Sequence, residues 1–182
     1  MDRWLIASAS AENDGVTLSI FEGTVSDCRR LLLERARSIA DEEVAETGEK
    51  FDETIEYCPM DTGDIDGNAD MLETFVSFVH GRETECLKAV KVTGEDPKTW
   101  IKAFFDNCNY EIQVFLRDPC TVAEMRKELA MNVRDMKEED ESFDYGTTGA
   151  ARICRDGKSL QAYAVFSDWH CDITAIRLKD LA

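Results

Sequence analysis

Histidine is nearly absent from this chain: His80 and His170 are the only two, so general-base and metal-ligand chemistry has few candidates to draw on. No two of the seven cysteines form a Cys-x-x-Cys pair, and Cys28, Cys58, Cys86, Cys108, Cys120, Cys154 and Cys171 are odd in number and scattered. A disulfide framework and a zinc site are both poorly supported; the thiols read as reduced, small, buried hydrophobes. No apolar run approaches the ~18 residues of a membrane span, and the N-terminus lacks a basic-then-apolar signal layout. The expectation is a cytoplasmic protein with no membrane partner. A Gly-rich phosphate loop, a Walker lysine and a Gly-x-Ser-x-Gly elbow are all missing. The basic residues are dispersed and outnumbered, which argues against direct DNA or RNA binding.

What the chain has in excess is acid. Acidic residues number 38 against 21 basic ones, for a formal net charge of -17 and a pI near 4.4. Such a field repels nucleic acid and anionic membranes and attracts basic surfaces. With 43% hydrophobic and 32% charged residues over 182 positions, the composition is globular, sized for one domain or two small ones.

The pattern predicts strands at 4–10 and 16–20, joined through Asn13-Asp14-Gly15, because Val16, Leu18 and Ile20 alternate with polar residues. Thr24 with Asp27 resembles a capping box, and Cys28, Leu31, Leu32, Ala36 and Ile39 form the apolar stripe of the helix that follows. Strands are expected at 51–58, 71–79 and 86–92, with Thr93-Gly94-Glu95 as a boundary. Asp96-Pro97 predicts a short helix carrying Trp100, Ile101, Phe104 and Phe105 and ending near Asn107. Tyr110 to Leu116 alternates as a strand. Thr121 with Glu124 caps a second long helix whose stripe is Val122, Met125, Leu129, Val133 and Met136. Arg155-Asp156-Gly157-Lys158 reads as a two-residue hairpin turn ahead of a strand at 163–167.

Two stretches repeat one layout. Lys50 to Val92 and Ser142 to Leu178 both open with Phe-Asp, reach an Asp-Gly turn, and run through an aromatic strand. They close on Ala-Val-Lys-Val and Ala-Ile-Arg-Leu. This points to tandem duplication, imperfect at the predicted 97–107 helix. The expected fold is α+β: two copies, 1–95 and 96–182, each a strand, a helix and three antiparallel strands, with helices packed on one face of each sheet.

Asp168, His170 and Asp172 alternate, so a strand would aim all three at one face. They could hold a divalent metal or a general base, though a solvated polar face is the simpler expectation. Cys171 would point the other way, which argues against a Cys-His nucleophile. Thr62 to Glu73 superficially resembles a calcium loop, with Asp64, Asp66, Gly67 and Glu73 in pattern. Its first position is Thr62, and strands flank it, so an acidic turn is favoured.

The acidic clusters say more. Asp41, Glu42, Glu43, Glu46, Glu49, Asp52 and Glu53 gather at the C-terminal end of the first long helix and the entry to the Phe-Asp strand, and Glu138, Glu139, Asp140, Glu141 and Asp144 at the matching place after the second. Carboxylates at a helix C-terminus oppose its dipole and repel one another, so stability does not explain them. A generic solvating surface or a basic partner would, and for the second these residues are the candidate partner-binding set.

Phe21-Glu22-Gly23-Thr24 leading into a helix, Phe143-Asp144-Tyr145-Gly146-Thr147, and Ser167-Asp168-Trp169-His170 resemble motifs of small acidic proteins of gut-bacterial phages and mobile elements. In the shorter members one Phe-x-Gly-Thr strand end leads to a single helix, a Tyr-Gly-Thr strand and a Tyr-x-Asp-Tyr-His hairpin. Here the pattern is split between the two copies, and 51–141 is extra. Length, acidity and layout are similar to an anti-CRISPR family that inhibits the type II RNA-guided effector nuclease. That resemblance implies a non-enzymatic inhibitor without cofactors, made in the bacterial host cytoplasm during phage infection. It would bind the nuclease with its guide RNA and impair its use of target DNA. The family has no short active-site motif to carry over. Effector nucleases hold nucleic acid in basic channels, so partial DNA mimicry is physically consistent with it, and a homodimer is compatible too. Three alternatives stand beside it. They are an acidic mimic aimed at another nucleic-acid-binding protein, a small metal-dependent enzyme using Asp168, His170 and Asp172, and an assembly protein that is acidic for solubility.

Overall fold

In the computed structural model, the residues described are 1–10, 15–47, 55–57, 70–78, 84–109, 111–139, 151–154, 156–167 and 169–181. The chain divides into two compact units, one of Met1–Asn13 with Thr17–Thr93, the other of Asp14–Val16 with Gly94–Ala182. Each holds one five-stranded antiparallel sheet and one long helix, an α+β architecture.

The first unit contains β1 (Asp2–Ser10), β2 (Thr17–Gly23), α1 (Val25–Thr47), β3 (Ile55–Tyr57), β4 (Met71–Phe78) and β5 (Thr84–Lys91), in sheet order β2-β1-β5-β4-β3. The second contains β6 (Trp100–Asp106), β7 (Glu111–Arg117), α2 (Val122–Glu139), β8 (Arg152–Ile153), β9 (Leu160–Val165) and β10 (His170–Arg177), in order β7-β6-β10-β9-β8. The two orders are the same. Each unit therefore runs strand, strand, helix and three strands, one strand more than the expected repeat.

The added strand in the second unit corrects the expected helix over 97–107. Asp96 Oδ1 accepts the Lys98 N–H at 2.7 Å and Asp96 O accepts that of Thr99 at 2.8 Å, so Asp96-Pro97 starts a tight turn. Asp followed by Pro suits the first two positions of a turn as well as a helix start. The apolar run misleads because β6 lies between β7 and β10. Trp100, Ile101, Ala103 and Phe105 are at most 1% exposed, and a strand buried on both faces loses its alternation.

Both long helices start where the capping pattern places them. Thr24 Oγ1 accepts the Asp27 N–H at 3.2 Å, while Asp27 Oδ2 accepts the Thr24 N–H at 3.1 Å. Thr121 and Glu124 repeat the exchange at 3.2 and 2.8 Å. Each helix lays its stripe on one sheet face. Cys28, Leu32 and Ala36 pack with Trp4, Ile6, Leu87 and Ala89; Met125, Leu129 and Val133 pack with Trp100, Leu160, Ile173 and Ala175. Val122, expected in the second stripe, is instead 37% exposed in the first helical turn.

The Asp156-Gly157 turn is wider than two residues. Cys154 N–H donates to Ser159 O at 2.9 Å, and Asp156 accepts from the Lys158 and Ser159 N–H groups at 2.8 and 3.0 Å. Gly157 sits at φ 68°. Most of the expected 51–58 strand, the acidic 61–69 stretch and the second Phe-Asp strand at 143–147 lie outside the described residues.

Candidate functional site

The acidic end of α1 is built by the helix itself. Its capping box fixes the start, its stripe fixes the buried face, and Asp41 and Glu42 follow the last stripe residue, Ile39. Asp41 and Glu42 are exposed, and the last turn holds no basic residue. Ser38 Oγ donates to Glu42 Oε1 at 3.1 Å. Glu43 and Glu46 fall within the helix, whereas Glu49, Asp52 and Glu53 lie outside the described residues. In the second unit Glu138 is exposed and lies 3.9 Å from Arg134. Glu139 is the last residue of α2, and Asp140, Glu141 and Asp144 lie outside the described residues.

One carboxylate escaped the sequence reading. Glu85, on β5, titrates above the usual carboxylate range, first because of burial and then because of the nearby Glu42 charge. Two acids from separate elements thus oppose each other at this end of the first unit. Only pairing of β5 against the helix could have revealed it, since Glu85 is isolated in sequence from both acidic clusters.

Other acids are locked into the fold. Glu128 on α2 bridges Lys102 of β6 at 2.5 Å and Arg117 of β7 at 3.0 Å. Burial pushes its carboxyl up, but hydrogen bonds from Lys102 and Arg117 prevail and hold it below the usual range. Glu73, last residue of the calcium-like pattern, lies on β4 and pairs with Lys88. The rest of that pattern up to Asn68 and Ala69 lies outside the described residues.

His170 and Asp172 share a face of β10, with Nε2 and Oδ2 3.3 Å apart. Asp172 is 7% exposed, which corrects the expectation of a solvated face; Asp168 lies outside the described residues. Cys171 points to the other face, among the residues packed under α2. Its thiol is pushed up to about 12, chiefly by burial and then by the Asp106 and Asp172 carboxylates, so it is not a ready nucleophile. Among the described residues, no group of three or more His, Cys, Asp or Glu side chains is placed to hold a metal ion, and no helix is long and apolar enough to cross a membrane.

No protein-family model, curated relative or solved structure matches the chain.

Proposed function

We propose that the chain is an acidic, non-enzymatic inhibitor that binds a type II CRISPR effector nuclease and blocks its use of target DNA, in part by mimicking DNA charge. The supporting observation is the C-terminal half of α1. Exposed Asp41 and Glu42 stand there without a basic residue in the last turn, and Glu42 raises the titration of Glu85. Charge arranged against both the helix dipole and its neighbours lowers stability, so its use lies in contact with something basic. Duplex DNA carries one charge per about 1.7 Å, and a fixed array of carboxylates competes for the same arginines. The partner-binding residues are then the set from Asp41 to Glu53 and from Glu138 to Asp144. The similarity of length, acidity and layout to an anti-CRISPR family selects the nuclease among basic partners.

The test is target cleavage by a type II effector loaded with guide RNA, with and without the protein. Inhibition should fall at least tenfold when Glu42, Glu43, Glu46 and Glu49, or Glu138, Glu139, Asp140 and Glu141, become Gln or Asn. Binding should weaken with added salt, because exposed charges are screened beyond about 8 Å. Uninhibited cleavage by the effector, or parent-like inhibition by both variants, would refute the reading.

A further inference from the structure

A cavity of about 460 Å³ in the second unit is lined by Lys98, Pro119, Cys120, Thr121, Glu124, Arg177 and Lys179. Three cations on one cavity are out of character for a chain with 38 acids and 21 bases. Several basic side chains elsewhere have acidic company: Lys88 with Glu73, Lys91 with Asp2 and Asp70, Lys102 and Arg117 with Glu128. Among the described residues, none of Lys98, Arg177 and Lys179 has a carboxylate within ion-pair distance.

The comparison with the first unit is direct. Lys91 and Arg177 occupy the same register position, opposite Trp4 and Trp100 respectively. Lys91 is neutralised by Asp70 at 3.2 Å and Asp2 at 3.4 Å. Arg177 instead stacks its guanidinium 4.8 Å from the Trp100 ring centre, and Nη2 reaches Cys120 O at 3.5 Å. The stack holds the fork in place while leaving donors for a ligand.

The walls are tied together by backbone. Lys179 N–H donates to Pro97 O at 2.8 Å and Leu178 N–H to Thr99 O at 2.9 Å, which joins the turn bearing Lys98 to the segment bearing Arg177 and Lys179. The first turn of α2 adds the positive end of an 18-residue helix. Glu124 is the one acid in the lining, and its carboxylate already accepts from Thr121 N and Oγ1, both at 2.8 Å. Local charge is therefore +2, three cations less one carboxylate.

We infer that this cavity binds a phosphate dianion, free or as a phosphate monoester, between Lys98, Arg177 and Lys179. A net charge of -17 disfavours indiscriminate uptake of anions, so saturable phosphate binding by this chain demands a local site.

Calorimetric titration of the full chain with inorganic phosphate, and separately with a nucleoside monophosphate, tests it. Saturable binding of either probe is expected. It should drop at least tenfold in Arg177→Gln and in the double variant Lys98→Gln/Lys179→Gln, and stay unchanged in Lys158→Gln, an exposed lysine outside the cavity. The double variant alters only exposed side chains, so it decides the matter if Arg177→Gln weakens the fold. Binding of the monoester alone would assign the site to esterified phosphate. Absence of saturable binding by both probes, an equal loss in Lys158→Gln, or acetate binding as tightly as phosphate would overturn the inference.

Discussion

Trp4 and Trp100 are counterparts: each buried indole N–H donates to the carbonyl just before its unit's helix cap, Gly23 O at 3.3 Å and Cys120 O at 3.0 Å. The first strand of each sheet is thereby pinned to the start of the helix that covers it. Replacing either tryptophan with Phe removes the donor and leaves a void. Each change should cost about 1–3 kcal/mol, read as a lower urea midpoint. A midpoint unchanged in both variants would mean that the indole bonds contribute nothing.

Acid should loosen the second unit through Glu128. Its folded pKa lies below the unfolded value, so the stabilisation is complete above the unfolded carboxyl pKa of about 4.3. It is lost as pH falls through the lower folded value. Glu128→Gln should destabilise the protein by roughly 1–3 kcal/mol at pH 7, because Lys102 is left half-buried and without its partner. The gap between variant and parent should close toward pH 2. A gap independent of pH would exclude the linkage.

Glu85 should behave in the opposite sense. Its folded pKa is raised by burial and by Glu42, so ionisation costs the folded state more than the unfolded one. The penalty appears as pH rises through the normal carboxyl range and is full above the folded value. Glu85→Gln should therefore stabilise the protein at pH 7, by on the order of 0.5 kcal/mol, and leave it unchanged at pH 3. Thermal melts at the two pH values decide it; destabilisation at pH 7 would count against like-charge strain.

Gly157 tests the turn. A Cβ there meets no atom within 4 Å, but φ is +68°. Gly157→Ala should cost about 1 kcal/mol through backbone strain alone, while Gly157→Asn should cost less because Asn tolerates that region. Equal stability of Ala and Gly variants in chemical denaturation would contradict the geometry.

How much of this was legible in sequence depends on what each signal encodes. The two helices were, because Thr24/Asp27 and Thr121/Glu124 are local and their apolar stripes follow a single period. β2 and β7 were, because their alternation survives half-burial, whereas β1, buried along both faces, was legible from the Asn13-Asp14-Gly15 turn and the alternating strand that follow it. β6 was not: burial on both faces erased its period, and Asp96-Pro97 serves turns and helices alike. Asp172 was misplaced for a related reason. A charged side chain near a strand end reads as solvent-facing, and only the ladder with β6 and β9 shows that it sits mid-sheet. The cavity around Arg177 was illegible because Lys98, Cys120 and Lys179 meet only after the sheet closes.

The shared strand order also governs the time course of folding. In each sheet the middle ladder joins the first strand to the last, with Trp4 opposite Lys91 and Trp100 opposite Arg177. Neither sheet can form its centre until its final strand has left the ribosome, so β1–β2 and β6–β7 must wait as bare hairpins, which are marginal alone in water. Closing loops of that size before any compensating contact places the chain among slow folders, in the millisecond-to-second range. During that wait the edge of each hairpin destined for the last strand is open to other chains.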